Sequence, residues 1–202
     1  MSEKRHIFDL FPQPIFKFKV KRFKEHNSKL IPYIYEMQKM DKEGHNRSNY
    51  GGWHSKPFDL KIKDSVQNNF LKEITQHIVD TFLAYGWKVD EKNKIRVREM
   101  WAIINKKNDF NIEHTHPNSY LSAAYYAKAS NNCGRFVACN PNIVSRAYYP
   151  AIKEKNKYNQ KNLGIEVEEG DLLIFPAYLP HKVEKNSSEE DRIVISFNID
   201  TF

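Results

Sequence analysis

Residues 111–128, NIEHTHPNSYLSAAYYAK, decide the fold together with the runs around them. IRVREMWAIIN precedes them at residues 95–105, and RFVACN, GIEVEEG, DLLIFPA and RIVISFNI follow within residues 135–199. These runs are short, rich in β-branched and aromatic residues, and separated by turn-forming residues, a pattern that predicts strands. The sequence therefore predicts a mainly β fold, a double-stranded β-helix in the form of a jelly-roll or cupin-like barrel with flanking α-helices.

The flanking helices are predicted upstream of this region. Residues 65–85 form the clearest one, because an apolar residue recurs there at about every fourth position. Asp64 or Ser65 can cap its start, and Gly86 can end it. A shorter helix is predicted over residues 29–40, and residues 14–23, PIFKFKVKRF, alternate apolar and lysine residues as a half-buried edge strand does. Residues 41–52 are predicted to be a loop.

Three histidines in these runs suggest a metal site. His114 and His116 are two residues apart in an extended stretch, so their side chains would lie on one side, with Thr115 directed away. His181, 65 residues after His116, would come from another strand. Neutral imidazoles bind iron, zinc and copper, and three that leave coordination positions open are typical of a catalytic metal site. The alternative is that the HxH pair is merely surface histidine.

Arg192 follows His181 by eleven residues, after the polar segment KNSSEED. A guanidinium does not bind a cation, but it holds a carboxylate through two parallel hydrogen bonds. A metal site with an arginine nearby thus suggests a carboxylate co-substrate. The alternative is a solvated charge beside the acidic residues that precede it.

The same runs resemble a known family. NIEHTHPNSYLSAAYYAK, GDLLIFPAYLPHKVE and DRIVISFNI are similar to the 2-oxoglutarate/Fe(II) oxygenases common in marine bacteria and their phages, relatives of the prolyl hydroxylases. LFPQPIFKFKV and NYGGWHS match as well, so the resemblance covers nearly the whole chain, and we expect residues 1–202 to form one domain. NYGGWHS would bring Trp53 and His54 to the mouth of the active site, where His54 is expected to contact substrate or solvent and not to bind metal.

The resemblance implies the cofactors Fe(II), 2-oxoglutarate and O2. In that superfamily the iron lies on His-x-Asp or His-x-Glu and a distal His, and a later Arg binds the far carboxylate of 2-oxoglutarate. By this correspondence His114, His116 and His181 are the catalytic metal site and Arg192 binds the co-substrate. His116 replaces the usual acid, which leaves open whether it binds the metal.

The resemblance also implies roles for two polar residues. Tyr126 is the expected hydroxyl partner of the co-substrate carboxylate, with Tyr125 on the opposite face of its strand. Ser196 shares a strand face with Arg192 and can bind the same carboxylate. The alternative for Tyr126 and Ser196 is ordinary sheet packing.

The implied function is hydroxylation of a C–H bond with release of succinate and CO2. A cupin-like metalloenzyme would also use three histidines but has no need of Arg192, and a non-catalytic binding protein that keeps the fold needs none of them. The substrate is not identified: a peptide, an amino acid, a nucleobase and a small metabolite are all compatible. Residues 140–163 form a long polar connection with three tyrosines, where substrate selection is expected.

Composition sets the remaining expectations. The chain has a net charge of +7, and the whole excess lies in residues 1–63, which hold 14 Lys or Arg against 7 Asp or Glu. This segment could therefore bind an anionic partner. The alternative is a solvated basic surface. No segment has the apolar length of a membrane span or of a signal peptide. Cys133 and Cys139 fit reduced thiols. We expect a cytoplasmic protein, located in the host cytoplasm if a phage encodes it. The sequence does not reveal the oligomeric state, and a homodimer is compatible with it.

Overall fold

The computed structural model describes residues 6–90 and 92–201, and it confirms the mainly β prediction. The strands are β1 Phe16–Lys19, β2 Asn49–Tyr50, β3 Trp53–His54, β4 Ile95–Asn105, β5 Phe110–His114, β6 Leu121–Lys128, β7 Phe136–Cys139, β8 Asn162–Ile165, β9 Asp171–Pro176, β10 His181–Val183 and β11 Arg192–Thr201. The helices are α1 Phe23–Met40, α2 Val66–Ala84 and α3 Ile143–Ala147.

The strands form two antiparallel sheets. One has six strands in the order β1-β9-β6-β11-β4-β3, and the other has five in the order β2-β5-β10-β7-β8. Successive strands from β4 onward cross repeatedly from one sheet to the other, which is the connectivity of a jelly roll. Strand β11 lies in the middle of the larger sheet, between β6 and β4. Its residues therefore have neighbours on both sides.

The two faces of the larger sheet pack in two separate cores. On β11, the odd-numbered residues from Ile193 to Ile199 join a core with α1 and α2, which cover the outer face. Val194 joins a second core with Tyr126 and Phe136, between the two sheets. We call this side of the larger sheet the inner face. Because side chains alternate along a strand, Arg192 and Ser196 lie on the inner face with Val194.

The helix predicted over residues 65–85 is confirmed as α2. The side chain of Ser65 accepts a hydrogen bond from the backbone N–H of Asn68, which caps the first turn. Beyond the helix, Gly86 has φ +70°, a conformation that suits glycine at a helix end.

Helix α1 is longer than predicted, since it begins at Phe23 and not at residue 29. Its added turn buries polar side chains, so it lacks the apolar period that marks a helix in sequence. Asn27 is the clearest case: its Nδ2 donates to the carbonyl of Ala127 at 2.8 Å, and its Oδ1 accepts from the Tyr125 hydroxyl at 2.7 Å. The segment 140–163, predicted to be a loop, contains the short helix α3, whose start is capped by Asn142.

The edge position predicted for residues 14–23 is confirmed by β1, which pairs only with β9 among the described strands. Lys17 and Lys19 project from it to the buried carboxylate of Asp171, with Nζ–Oδ distances of 2.9 and 2.7 Å. Part of the basic excess of residues 1–63 is thus paired within the protein. A partner for the rest stays a prediction.

Two predictions from composition agree with the structure. Cys133 and Cys139 are both buried and form no disulfide. Within the described ranges, no helix combines the length and apolar character that crossing a membrane requires.

Candidate active site

The three histidines singled out in the sequence lie together between the sheets. Strands β5 and β10 are antiparallel neighbours, and His181 stands directly opposite His114. The ring of His114 lies 4.3 Å from that of His181 and 5.0 Å from that of His116, centroid to centroid. One nitrogen from each of His114, His116 and His181 falls within 4.8 Å of the others. We call these residues the histidine cluster.

Backbone contacts fix which ring nitrogen is free in two of these histidines. The Nδ1 atoms of His114 and His181 each lie 2.8 Å from a carbonyl oxygen, that of Ile112 and that of Leu179. A carbonyl only accepts hydrogen bonds, so each Nδ1 carries the proton and each Nε2 keeps a free lone pair. Burial, with a smaller contribution from neighbouring histidines, lowers the pKa of His116 and of His181 to about 3. The cluster is therefore neutral at pH 7 and able to ligate a metal ion.

His116 reaches the cluster by a different route from the one predicted. Strand β5 ends at His114, so strand alternation does not extend to His116. Instead the backbone N–H of His116 donates to the carbonyl of Ala177 at 2.8 Å, which holds this segment against the residues after β9. Thr115, predicted to be directed away, lines the same cavity as the histidines. Because β5 ends before Thr115, strand alternation does not fix the direction of its side chain, which stays a prediction.

Arg192 is fully buried, on the inner face of β11. Its Nη1 donates to the carbonyls of Cys133 and Glu184. Its Nε and Nη2 are also buried, and neither has a hydrogen-bond partner among the described residues. Burial lowers the pKa of this guanidinium, although arginine still stays charged. A buried cation with two unpaired donors is costly on its own, which indicates a place for an anion.

Tyr126 lies in the inner core together with Phe136 and Phe175, both of which contact the ring of His181. Burial raises the pKa of its hydroxyl, while the nearby charge of Arg192 acts in the opposite direction. Tyr125 points to the outer core, as predicted from strand alternation. Tyr126 thus shares the inner core with residues that contact the histidine cluster, and it lies near the charge of Arg192.

A cavity of about 510 Å³ opens over the histidine cluster. Its floor on the larger sheet includes Ser196, Asn198, Trp101 and Glu99, of which only Ser196 was predicted from the sequence as a site residue. His54, expected near the mouth, does line the cavity, and its ring stacks on that of Trp101 at 5.7 Å. Arg192 and Tyr126 lie deeper and do not line this cavity.

The long connection of residues 140–163 contributes none of the described residues that line the cavity. Tyr148 and Tyr158 are exposed, and the ammonium groups of Lys161 and Lys157 lie over the rings of Tyr149 and Tyr158. These contacts give no support to the prediction that this segment selects the substrate.

Comparison with known proteins assigns the family. Residues 99–198 match the model of a family described as "Putative 2OG-Fe(II) oxygenase". The chain belongs to the 2OG-Fe(II) oxygenases. A search of curated protein sequences finds no match. The oxygenase depends on 2-oxoglutarate, non-haem iron and O2, in agreement with the cofactors predicted from its sequence.

Solved structures share the fold of this oxygenase at low sequence identity. A prolyl-4-hydroxylase from Pseudomonas putida is 11% identical, with a TM-score of 0.65 over 93% of this chain and 92% of that one. A viral collagen prolyl hydroxylase from Paramecium bursaria Chlorella virus-1, in complex with 2-oxoglutarate, is 11% identical, with a TM-score of 0.61 over 93% and 96%. HygX from Streptomyces hygroscopicus, with nickel and 2-oxoglutarate bound, is 15% identical, with a TM-score of 0.56 over 93% and 83%.

The residues of the oxygenase fit the cofactors of its family. The histidine cluster offers three neutral nitrogen donors, a set suited to iron that leaves coordination positions for other ligands. The unpaired donors of Arg192 fit one end of a dicarboxylate. The iron and the dicarboxylate would thus both bind in the interior of the same barrel.

The oxygenase also offers a test of how closely Arg192 is held. Gly134 has φ +87°, and an added Cβ would lie 2.6 Å from the Glu184 carbonyl oxygen and 2.9 Å from Arg192 Nη1. We expect Gly134→Ala to reduce the free energy of unfolding by about 1–3 kcal/mol, through strain and displacement of these atoms. It should also weaken 2-oxoglutarate binding. Urea denaturation and a 2-oxoglutarate titration measure the two effects.

Gly86→Ala is the matched control, because Gly86 has φ +70° but no atom within 4 Å of an added Cβ. It should lose only the conformational component, roughly 1 kcal/mol, and bind 2-oxoglutarate normally. Equal losses of stability and normal 2-oxoglutarate binding in both variants would contradict a close packing of Gly134 on Arg192.

Proposed function

We propose that this oxygenase hydroxylates a C–H bond of its substrate and converts 2-oxoglutarate to succinate and CO2. In this proposal His114, His116 and His181 hold the iron, and Arg192, Tyr126 and Ser196 receive the far carboxylate of 2-oxoglutarate. The observation that carries it is the buried guanidinium of Arg192, whose Nε and Nη2 have no partner in the described parts of the chain. A cupin-like enzyme that does not use 2-oxoglutarate has no reason to keep that charge.

Iron and 2-oxoglutarate supply the oxidising power: of the two atoms of O2, one enters succinate and the other the new hydroxyl group. The protein contributes by positioning the metal ion and the co-substrate and by excluding water. The hydrogen bonds from Nδ1 of His114 and His181 to backbone carbonyls fix the rotation of each ring, so that Nε2 faces the ion. Metal binding therefore costs little reorganisation at these two ligands.

Arg192 would select the co-substrate by charge and shape. Its Nη1 is already held by two backbone carbonyls, so the guanidinium plane is fixed before the ligand arrives. The free Nε and Nη2 can then donate to the two oxygens of one carboxylate. Tyr126 lies close enough to interact with this charge. A buried, preorganised cation of this kind favours a dicarboxylate over a monocarboxylic acid.

His116 would make the metal site more positive than the usual one. A histidine in place of an acid leaves the full 2+ charge of the ion uncompensated by the protein, which strengthens attraction for an anionic co-substrate. Its ring lies 5.2 Å from that of His181, within the cluster.

We expect His116→Ala to weaken Fe(II) binding by at least about tenfold, since even loss of a residue that only hydrogen-bonds to a metal ligand weakens binding by about 10- to 100-fold. His116→Asp should retain the metal, because a carboxylate can replace the imidazole as ligand. Fe(II) titration under anaerobic conditions measures both. Wild-type affinity in His116→Ala would show that only His114 and His181 hold the ion.

The function is tested by product analysis. The Fe(II) protein is incubated in air with 2-oxoglutarate and fractionated small-molecule and peptide extracts, and succinate and products heavier by one oxygen atom are followed by mass spectrometry. The proposal predicts succinate formation that a particular fraction stimulates and that His181→Ala lacks. Oxygenated product that does not depend on 2-oxoglutarate would instead support a cupin-like reaction.

A further inference from the structure

The inner face of the larger sheet is ordered by depth. Cross-strand pairs on β4 and β11 place Asn105 opposite Arg192 at the deep end, then Ile103 opposite Val194. Nearer the cavity mouth, two polar pairs follow: Trp101 opposite Ser196, and Glu99 opposite Asn198. The proposed co-substrate site occupies the deep end. Ser196 belongs to that site as well, so Trp101, Glu99 and Asn198 are left for the substrate.

Glu99 lies on the inner face with Trp101, and a β-bulge at Arg98 puts Val97 on the opposite face. Asn198 pairs with Glu99 while the next residue, Ile199, pairs with Val97, so Arg98 is the extra residue. Val97 consequently packs against the outer core, and Glu99 lines the cavity. Bulges next to active sites commonly redirect a side chain in this way. The group on the cavity side is a carboxylate.

Glu99 has no cationic partner within the ranges that the structure describes. It is half-buried and lines the cavity, and its carboxylate takes part in no ion pair or hydrogen bond with the described residues. A partly desolvated carboxylate facing a ligand cavity favours a cation there. An ammonium group on the substrate is the simplest match.

Hydrogen-bond donors surround this carboxylate. Trp101 is 8% exposed and lines the cavity, and its indole N–H is buried without a partner. The Oδ1 of Asn198 accepts from the Ser122 hydroxyl at 2.7 Å, so its amide N–H groups remain available for a ligand. An unpaired buried N–H costs free energy that a ligand oxygen recovers. These donors match a carboxylate on the substrate.

From these contacts we infer that the substrate is a free L-amino acid, an inference that rests on the function proposed above. Its ammonium group binds Glu99, and its carboxylate binds Trp101 and Asn198. Glu99 and Trp101 are two residues apart, roughly 7 Å along the strand, which leaves room for both groups of one α-amino acid. The ring of Trp101 lies 5.8 Å from that of His116, so an amino acid bound there lies next to the histidine cluster.

The reaction then replaces a C–H bond of the amino-acid side chain by C–OH. O2 supplies the oxygen atom, and 2-oxoglutarate is oxidised to succinate and CO2. Both co-reactants are those of the family.

The test is a calorimetric titration of the anaerobic Fe(II) protein, with and without 2-oxoglutarate, using each of the twenty standard L-amino acids. At least one is expected to bind saturably, and its N-acetyl amide, which lacks both charges, to bind at least about tenfold more weakly. Glu99→Gln should weaken it by a similar factor and Trp101→Phe by less, with unchanged 2-oxoglutarate affinity in both. Glu36→Gln, an exposed change of equal charge on α1, is the control and should bind normally.

Absence of binding by all twenty amino acids, or equal binding of the N-acetyl amide, overturns the inference, and so does wild-type binding in Glu99→Gln. The two proposals fail separately. Normal 2-oxoglutarate binding without amino-acid binding dismisses only the substrate class. Amino-acid binding that depends on Glu99 in a protein that does not bind 2-oxoglutarate dismisses the proposed function and supports the amino-acid site.

Discussion

His181→Ala is expected to abolish succinate formation and to lower Fe(II) affinity by more than the roughly 100-fold that follows loss of a residue hydrogen-bonded to a metal ligand. His181 is buried, and its Nε2 is left free by the hydrogen bond of Nδ1 to Leu179. Removing it leaves only His114 and His116, both on the segment at the end of β5, as metal-binding nitrogens among the described residues. Anaerobic Fe(II) titration and succinate analysis measure the change.

The ring of His181 also packs against Phe136 and Phe175, so its loss creates a cavity. His181→Gln keeps most of the volume and separates the metal effect from the packing effect. His77→Ala removes a histidine that stacks on Phe18, away from the cavity, and should leave iron binding intact. If both His181→Gln and His181→Ala bind iron with wild-type affinity, His181 is not a metal ligand.

Arg192→Ala is expected to weaken 2-oxoglutarate binding by roughly 30-fold or more, the equivalent of about 2 kcal/mol or above for truncating one partner of a buried charge pair. Iron affinity should change little, because Arg192 is not a metal ligand. Arg192→Lys keeps the charge but loses the planar fork, and an intermediate affinity is expected. Titration of the Fe(II) protein with 2-oxoglutarate gives the three dissociation constants.

Arg192 also donates to the carbonyls of Cys133 and Glu184, so the unfolding free energy of each variant must be measured beside its affinity. Arg135→Ala is the matched control: it removes an exposed guanidinium that is paired with Glu184. It should bind 2-oxoglutarate normally. An Arg192→Ala protein that is folded and has wild-type 2-oxoglutarate affinity would place the co-substrate carboxylate elsewhere.

The candidate site could be predicted largely because its residues have few alternative uses. Three histidines and an arginine are unusual in strands of a barrel, and their order along the chain resembles a known family. Strand alternation correctly put Tyr125 and Tyr126 on opposite faces. Residue type and the alternation of side chains along a strand were sufficient to predict these features.

The predictions fail where tertiary contacts override the periodic pattern of apolar residues along the chain. The bulge at Arg98, which puts Val97 and Glu99 on opposite faces of β4, could not be predicted from RVREMW. The first turn of α1 was missed because Asn27 is buried through hydrogen bonds to Ala127 and Tyr125 and not through apolar contact. The strand assumed to continue through His116 ends at His114, and a backbone hydrogen bond to Ala177 holds His116 instead.

The central claim is that the histidine cluster and Arg192 together receive iron and 2-oxoglutarate. The most direct measurement is an anaerobic titration of the Fe(II) protein with 2-oxoglutarate, following the visible charge-transfer band of the chelate in wild type and in Arg192→Ala. The account predicts a saturable band in wild type and a large increase in the half-saturating concentration in the variant. Iron binding without any band, or a band that is unaffected by loss of Arg192, would contradict it.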